Sequence, residues 1–258
     1  MAYVSFISDE HLIYCVEKLF NAYESTKSEF TIEKFYSNQI DPFKLLFDTK
    51  FFGITDEEKV MAEIARQIDQ TISNHIGDFH ENLVSGIKGY SKHPVGEGFD
   101  ITDDDCKLLF ADLKNKHNTV TGTHLDNLHL KLSKYIEGKP DAKSYYVQII
   151  SSGSSFCKPW KLKGVTNPQV YKVSADKFYG ILTKNPNAFA ELCCALPKVV
   201  EDFLSGKDVK GAASTNQVYS ELISKCNSNN VSFATQLFND TFKKYDGFPI
   251  NNYTQEEE

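Results

Sequence analysis

Arginine is almost missing from this 258-residue chain: Arg66 is the only one among 28 basic residues. Guanidinium forks can therefore contribute little to any recognition of guanine edges or phosphates. No apolar run approaches the ~18 residues that a membrane-spanning helix needs, and the start, MAYVSFISDEHL, lacks the basic residues and apolar stretch of a signal peptide. The six cysteines form no CxxC pair, so reduced thiols in a cytoplasmic protein are expected. His75/His80 and His124/His129 are spaced by five, not the four that puts two ligands on one helical face, and no zinc site is expected. A Walker loop and a GxSxG elbow are both missing, and the lone GEGFD turn does not match a dinucleotide fingerprint. No nucleotide cofactor and no membrane partner are expected.

What is present is an ordinary globular composition, 41% hydrophobic and 24% charged, which excludes wholesale disorder and collagen-like repeats. The length fits one large domain, or a core with a smaller addition. The net charge of −7 is unevenly spread. Residues 1–105 hold 9 basic and 20 acidic side chains, residues 106–163 hold 10 and 4, and residues 164–258 hold 9 and 11. One basic block thus sits in an acidic frame. Such a block is either a solvated lysine-rich face or a surface for a polyanion.

The first third reads as helices. Ser8 can cap a helix whose apolar residues, Leu12, Cys15, Val16, Leu19, Phe20 and Tyr23, recur at helical spacing. DPFKLLFD (41–48) begins helically at Pro42, and Thr55 followed by three acids opens a longer helix. That helix carries the stripe Val60, Ile64, Ile68, Ile72, Ile76, Phe79 and Leu83, with a bend expected at Gly77. Gly86, Gly89, Pro94, Gly96 and Gly98 then break regularity. FDI (99–101), the turn TDDDCK (102–107) and LLFADLK (108–114) read as a β-hairpin whose second strand is covered on both faces. HLDNLHLKLSKYI (124–136) reads as a helix, SYYVQII (144–150) as a strand and SSGSS (151–155) as its loop. VSADKFYGILT (173–183) and NAFAELCCALPKVVEDFLS (187–205) read as helices, the latter with a break at Pro197. The expected organisation is an α/β fold: a helical N-terminal region over 1–90 packed on the core, the core and C-terminal helices over 91–250, and a polar tail over 251–258.

The chemistry concentrates in GFDITDDDCKLLFADLKNKHNT (98–119). Strand alternation puts Asp112 and Lys114 on one face and Leu113 on the other. With 103–107 as the loop, Thr102 pairs with Leu108, and Asp100 becomes a diagonal neighbour of Asp112, with Cα atoms roughly 7–8 Å apart. Two carboxylates so placed can share a hard cation; Mg2+ suits them, because it takes few carboxylates and keeps waters or phosphate as its other ligands. The lysine beside it can orient or deprotonate a water, or stabilise charge on a phosphate. An acid-x-Lys triplet alone says little, since the chain contains seven. The one at Asp112 stands out because an apolar strand precedes it, a second acid lies across a turn, and the basic block begins there. The plain alternative is an Asp–Lys ion pair at a strand end, with Asp103, Asp104 and Asp105 as turn residues.

The string Asp100…Asp112-Leu113-Lys114 resembles the PD-(D/E)xK nuclease superfamily, and DLKNKHNT (112–119) is similar to the type II restriction endonuclease family that cuts GGNCC sites. IGDFHENL (76–83), YYVQIISSGSSFCKPW (145–160) and NAFAELCCALP (187–197) share that likeness, which spans roughly residues 40–205. Phe99 occupies the place of the signature proline, and the acid before x-Lys is Asp rather than Glu; neither change removes a ligand. The resemblance implies a mixed central sheet flanked by helices and a Mg2+-dependent hydrolase of double-stranded DNA in the bacterial cytoplasm. In-line attack by water would leave a 5′-phosphate and a 3′-hydroxyl. Carried over by position, Asp100 and Asp112 bind the metal, the Leu113 carbonyl adds to it, and Lys114 is the catalytic lysine. A palindromic site implies a homodimer.

Around this core, Lys116, His117, Asn118 and Thr119 follow the strand and suit DNA contact, or form a polar exit loop. In FCKPWKLKG (156–164), Lys158, Lys161 and Lys163 interleave with Phe156 and Trp160; Lys158, Trp160 and Lys161 are candidates for the DNA backbone, with a packed tryptophan as the alternative. Gln148, mid-strand, either lines the site or satisfies the sheet. Glu63 and Glu81 read first as surface or packing residues of the long helix, and Glu81 is kept as possible support for the site. Two rival functions stay open on sequence: a repair or junction-resolving nuclease with the same chemistry, and a non-catalytic DNA-binding protein.

Overall fold

The computed structural model describes residues 2–28, 42–93, 98–162, 165–207 and 224–251. The chain divides into two compact units, one formed by residues 1–16 with 80–258 and the other by residues 17–79. Most of the tail expected over 251–258, the irregularity expected at Pro94 and Gly96, and Lys163 lie outside the described residues. No helix among the described residues is long and apolar enough to cross a membrane.

The first three helices begin where the sequence places their starts. In α1 (Asp9–Ser28) the His11 N–H donates to Ser8 Oγ at 3.2 Å, and Leu12, Cys15 and Val16 are buried. Helix α2 (Pro42–Phe52) starts at its proline. Helix α3 (Asp56–Ser85) opens with a capping box: Glu58 N–H donates to Thr55 Oγ1 at 3.1 Å, and Thr55 N–H to a Glu58 carboxylate oxygen at 2.8 Å. It continues as helix through Gly77.

The larger unit is built on a six-stranded mixed sheet in the order β1-β2-β3-β4-β6-β5. Its strands are β1 (Tyr90–Lys92), β2 (Ile101–Asp103), β3 (Leu109–Lys116), β4 (Lys143–Ile150), β5 (Cys157–Leu162) and β6 (Val165–Ser174). Strands β3, β4 and β6 are parallel, while β1, β2 and β5 join antiparallel. A parallel pair needs a crossover, and α4 (Thr123–Tyr135) supplies it between β3 and β4. Leu128 and Leu132 of α4 pack with Phe110, Tyr146, Trp160 and Val170 on one face of the sheet. Across the other face, Phe178 of α5 (Ala175–Thr183) meets Tyr145 of β4 with ring centroids 5.8 Å apart. Helices α6 (Ala188–Leu204) and α7 (Phe233–Phe242) extend that layer through ring contacts of Phe189 with Tyr179 and Phe242.

Three sequence expectations change. Helix α6 runs through Pro197 without a break; a proline forfeits one helical hydrogen bond, and here the buried face carried by Leu192, Ala195 and Val199 outweighs that loss. Strands β1, β5 and β6 were not expected. Strand β5 is an edge strand containing Pro159, tolerated because an edge N–H need not join a ladder. The hairpin register also moves by two residues: Thr102 pairs with Phe110, not Leu108. The Asp103 carboxylate is the reason, since it accepts the backbone N–H groups of Lys107, Leu108 and Leu109 at 3.2, 2.9 and 2.8 Å. These bonds draw Leu108 into the turn, where its side chain is exposed and not part of the covered strand.

Candidate active site

Strand β3 is buried from Leu109 to Leu113 and emerges at Lys114. Its alternation sends Leu113 to the α5 side and Asp112 and Lys114 to the α4 side. In the observed register Asp100 stands beside Asp112, at the end of the ladder, where Asp100 N–H donates to the Ala111 carbonyl at 2.8 Å. Asp100 is held there from both sides. Its Oδ2 accepts the Leu113 N–H at 2.7 Å, and the preceding Phe99 ring packs edge-on against Phe110 and Tyr135 at 5.1 and 4.8 Å. Phe99, at the place of the expected signature proline, is therefore an apolar anchor for the acid that follows it. Gly98 has φ +104°, and a Cβ there would lie 1.6 Å from the Tyr135 hydroxyl oxygen, so only glycine lets the two approach.

Lys114 joins the two acids. Its Nζ lies 2.6 Å from Asp112 Oδ1 and 3.8 Å from Asp100 Oδ2. Asp112 is 2% exposed, and its Oδ1 accepts no hydrogen bond of ordinary geometry among the described residues. Its Oδ2 accepts one from Lys131 Nζ of α4 at 3.1 Å. Burial first, then the Asp112 charge, pushes the Asp100 carboxyl up to about 6. Burial opposes the Lys114 charge, but Asp112, Asp100 and Glu81 together hold its ammonium above the ordinary value. Lys114 is therefore a cation at neutral pH in this arrangement, suited to stabilising negative charge rather than to removing a proton.

Glu81, near the end of α3, contributes its charge to both Asp100 and Lys114 and forms its own ion pair with Lys92 of β1 at 2.8 Å. It stands in the electrostatic surroundings of the pair; among the described residues no three His, Cys, Asp or Glu side chains come together in a metal-holding group. Gln148 is buried opposite Lys114 in the β3–β4 register, as Tyr146 is opposite Asp112. Lys116, the last residue of β3, and His117, Asn118 and Thr119 after it are exposed, with Thr119 N–H and Oγ1 both donating to the Lys116 carbonyl in a turn.

Trp160 is 3% exposed and packs between Tyr146 and His129 at centroid distances of 5.0 and 5.1 Å. The packed alternative therefore holds for this ring, and the flanking Lys158 and Lys161 carry the segment's exposed charge. Sequence reasoning missed Lys131 and Lys172. The first was one of many helical lysines. The second reaches the same face only through β4–β6 pairing, its Nζ lying over the Tyr146 and Trp160 rings at 5.3 and 5.5 Å.

Two carboxylates side by side, one of them buried and held only by lysines, fit a hard divalent ion that keeps several non-protein ligands. The surrounding lysines fit a polyanion. The chain matches the family described as Eco47II restriction endonuclease over residues 4–205. It is 36% identical over 253 residues to type II restriction enzyme Sau96I of Staphylococcus aureus, covering 94% of this chain and 96% of that enzyme. It is 34% identical over 218 residues to type II restriction enzyme Eco47II of Escherichia coli, covering 80% and 90%.

Proposed function

The chain belongs to the Eco47II restriction endonuclease family and is a type II site-specific deoxyribonuclease, and within that activity we propose that Asp100, Asp112 and Lys114 form the catalytic centre. The observation that carries this reading is the buried Asp112, set beside Asp100 and bridged to it by one ammonium. A buried carboxylate is costly unless it is paired or coordinates a cation, and Asp112 is paired by two lysines, Lys114 at 2.6 Å and Lys131 at 3.1 Å, whose places a divalent cation can take. Asp100 and Asp112, with the Leu113 carbonyl as a further candidate, would hold Mg2+. A bound Mg2+ would supply Lewis-acid polarisation of the scissile phosphate and a water acidified for attack.

The remaining work falls to the chain itself. Lys114, beside both aspartates, would neutralise charge that develops on the phosphate oxygens. Asp100, pinned through the Leu113 N–H, keeps the acid pair in place while DNA binds. Lys116 at the end of β3, His117, Asn118 and Thr119 after it, and Lys158 and Lys161 on the edge strand β5 would contact DNA. With Arg66 as the sole arginine, G·C pairs would be read by lysines, amides, backbone groups or DNA shape. The GGNCC site, 5′-phosphate ends, a homodimer matched to a two-fold site, and action in the bacterial cytoplasm complete the proposal.

A long duplex of known sequence, incubated with Mg2+ or with EDTA, tests it. Discrete fragments that require Mg2+ and end at GGNCC are expected. Discrete fragments ending elsewhere would discard the recognition site and keep the chemistry, while fragments formed equally in EDTA would remove the metal role.

A further inference from the structure

The acid cluster holds one lysine that the strand pattern does not call for. Asp112, Asp100 and Glu81 supply three carboxylates, and Lys114, Lys131 and Lys92 supply three ammoniums. The cluster is thus electrically balanced when all six are ionised. The three cations are held differently. Lys114 lies on the same strand as Asp112 and bridges both aspartates. Lys92 serves Glu81. Lys131 reaches in from α4, and among the described residues its carboxylate partner is Asp112 alone. Its side chain is 36% exposed, against 3% for that of Asp112, so it sits at the mouth of the site on a flexible four-carbon stem.

A divalent ion entering a balanced cluster sets like charges against each other, and the ammonium with one partner and open solvent beside it is the one free to leave. An arriving phosphodiester offers the charge it would lose. We propose that Lys131 is an exchange cation: it holds Asp112 Oδ2 in the metal-free protein and moves to a DNA phosphate when a divalent ion takes that carboxylate. The inference rests on Asp100 and Asp112 as the ligands, and it explains how a buried carboxylate stays paired before metal and DNA arrive. The exchange couples metal uptake to DNA engagement, since the cation that leaves Asp112 strengthens the grip on the backbone.

Lys131→Met keeps the apolar stem and removes the charge; Lys131→Arg keeps the charge. Mg2+ binding to DNA-free protein is read by titration calorimetry, and DNA binding across a salt series is read with Ca2+ in place of Mg2+. For Lys131→Met the two readouts should move in opposite directions. Mg2+ should bind about tenfold tighter, because a competing charge a few ångströms away is gone. DNA should bind more weakly, with the salt slope per protomer reduced by about one. Lys131→Arg should restore the slope. Unchanged or weaker Mg2+ binding, or an unchanged slope, would overturn the exchange. Thermal melts precede both titrations, and Lys131→Gln gives the same two readouts if the methionine variant fails to fold. The ligand assignment is tested apart from this: Asp112→Asn binding Mg2+ as tightly as the unmodified protein would remove that assignment whatever Lys131 does.

Discussion

On the α5 side of the sheet, Ala111, Leu113, Val147, Ile149 and Val173 form an apolar surface, each of them buried. On the α4 side, the same strands present Asp112, Lys114, Tyr146, Gln148 and Lys172 at neighbouring register positions. The difference comes from the two-residue period of a strand. One face supplies the burial that fixes where the strands lie, and the other carries groups whose placement is costly. A half-buried acid pair placed on a loop would find water and relax. Placed on strands gripped from behind, it keeps its geometry. The α4 face is itself divided. Phe110, Val170, Leu128 and Leu132 pack under the helix, and the charges gather toward the strand ends, where Lys114 regains solvent.

The comparison is broken most severely by changes on the charged face. Asp112→Asn is expected to lower single-turnover cleavage by more than about a thousandfold, with the circular dichroism spectrum unchanged and DNA binding retained; full cleavage by this variant would remove the site. Lys114→Met should cost roughly a hundredfold to a thousandfold in rate with a smaller change in DNA affinity, and a variant at full rate would leave Lys114 a simple counter-ion.

Gly98→Ala acts one step behind the face. Its Cβ meets the Tyr135 hydroxyl at a positive φ, so about 1–3 kcal/mol of stability should be lost, together with a partial loss of cleavage as Asp100 shifts. Tyr135→Phe in the same chain should recover part of both, because it removes the clashing atom and leaves the backbone strain. Failure of that rescue would show that the close approach does not position Asp100.

A pH series sharpens the comparison further. Asp100 has a carboxyl raised to about 6 in the folded protein. Between the ordinary carboxylate range and about pH 6 the folded chain therefore binds the extra proton, and this group's contribution to stability is present at the low end and lost as pH rises through about 6. Melts in EDTA should show that loss, and Asp100→Asn should abolish it. Mg2+ binding should run the other way, weakening as pH falls below about 6. The smallest effect on chemistry is expected from the opposite face: Ile149→Ala, a buried residue, should cost roughly 2–4 kcal/mol in a denaturant melt while the folded fraction cleaves at nearly the full rate. A large rate loss would show that the two faces are not separable.

Much of this site was legible along the chain because its parts are close in sequence. The hairpin, the shared side of Asp112 and Lys114, and the nearness of Asp100 follow from alternation and one turn. The register did not follow, because it depends on the Asp103 carboxylate drawing three backbone N–H groups into the turn. Lys131 and Glu81 were two ordinary charges on amphipathic helices, and nothing in helical periodicity ties a lysine to an acid nineteen residues earlier. Trp160 sat among lysines in sequence and is buried in the structure, since β5 places it against Tyr146 and His129.

By itself, then, the sequence determined the local geometry: where helices start, which strand residues share a side, and that an acid pair with a lysine would stand at a strand end next to a basic block. Those outcomes depend on backbone periods and capping chemistry, which act over a few residues. The tertiary structure alone decided which distant groups complete the site. Parallel pairing of β3, β4 and β6 and the docking of α4 bring Tyr146 and Lys131 to Asp112 and Lys172 to the same face of the sheet. Contacts of that separation are selected by burial of the opposite, apolar face, a cooperative property of the whole sheet that no short stretch of sequence contains.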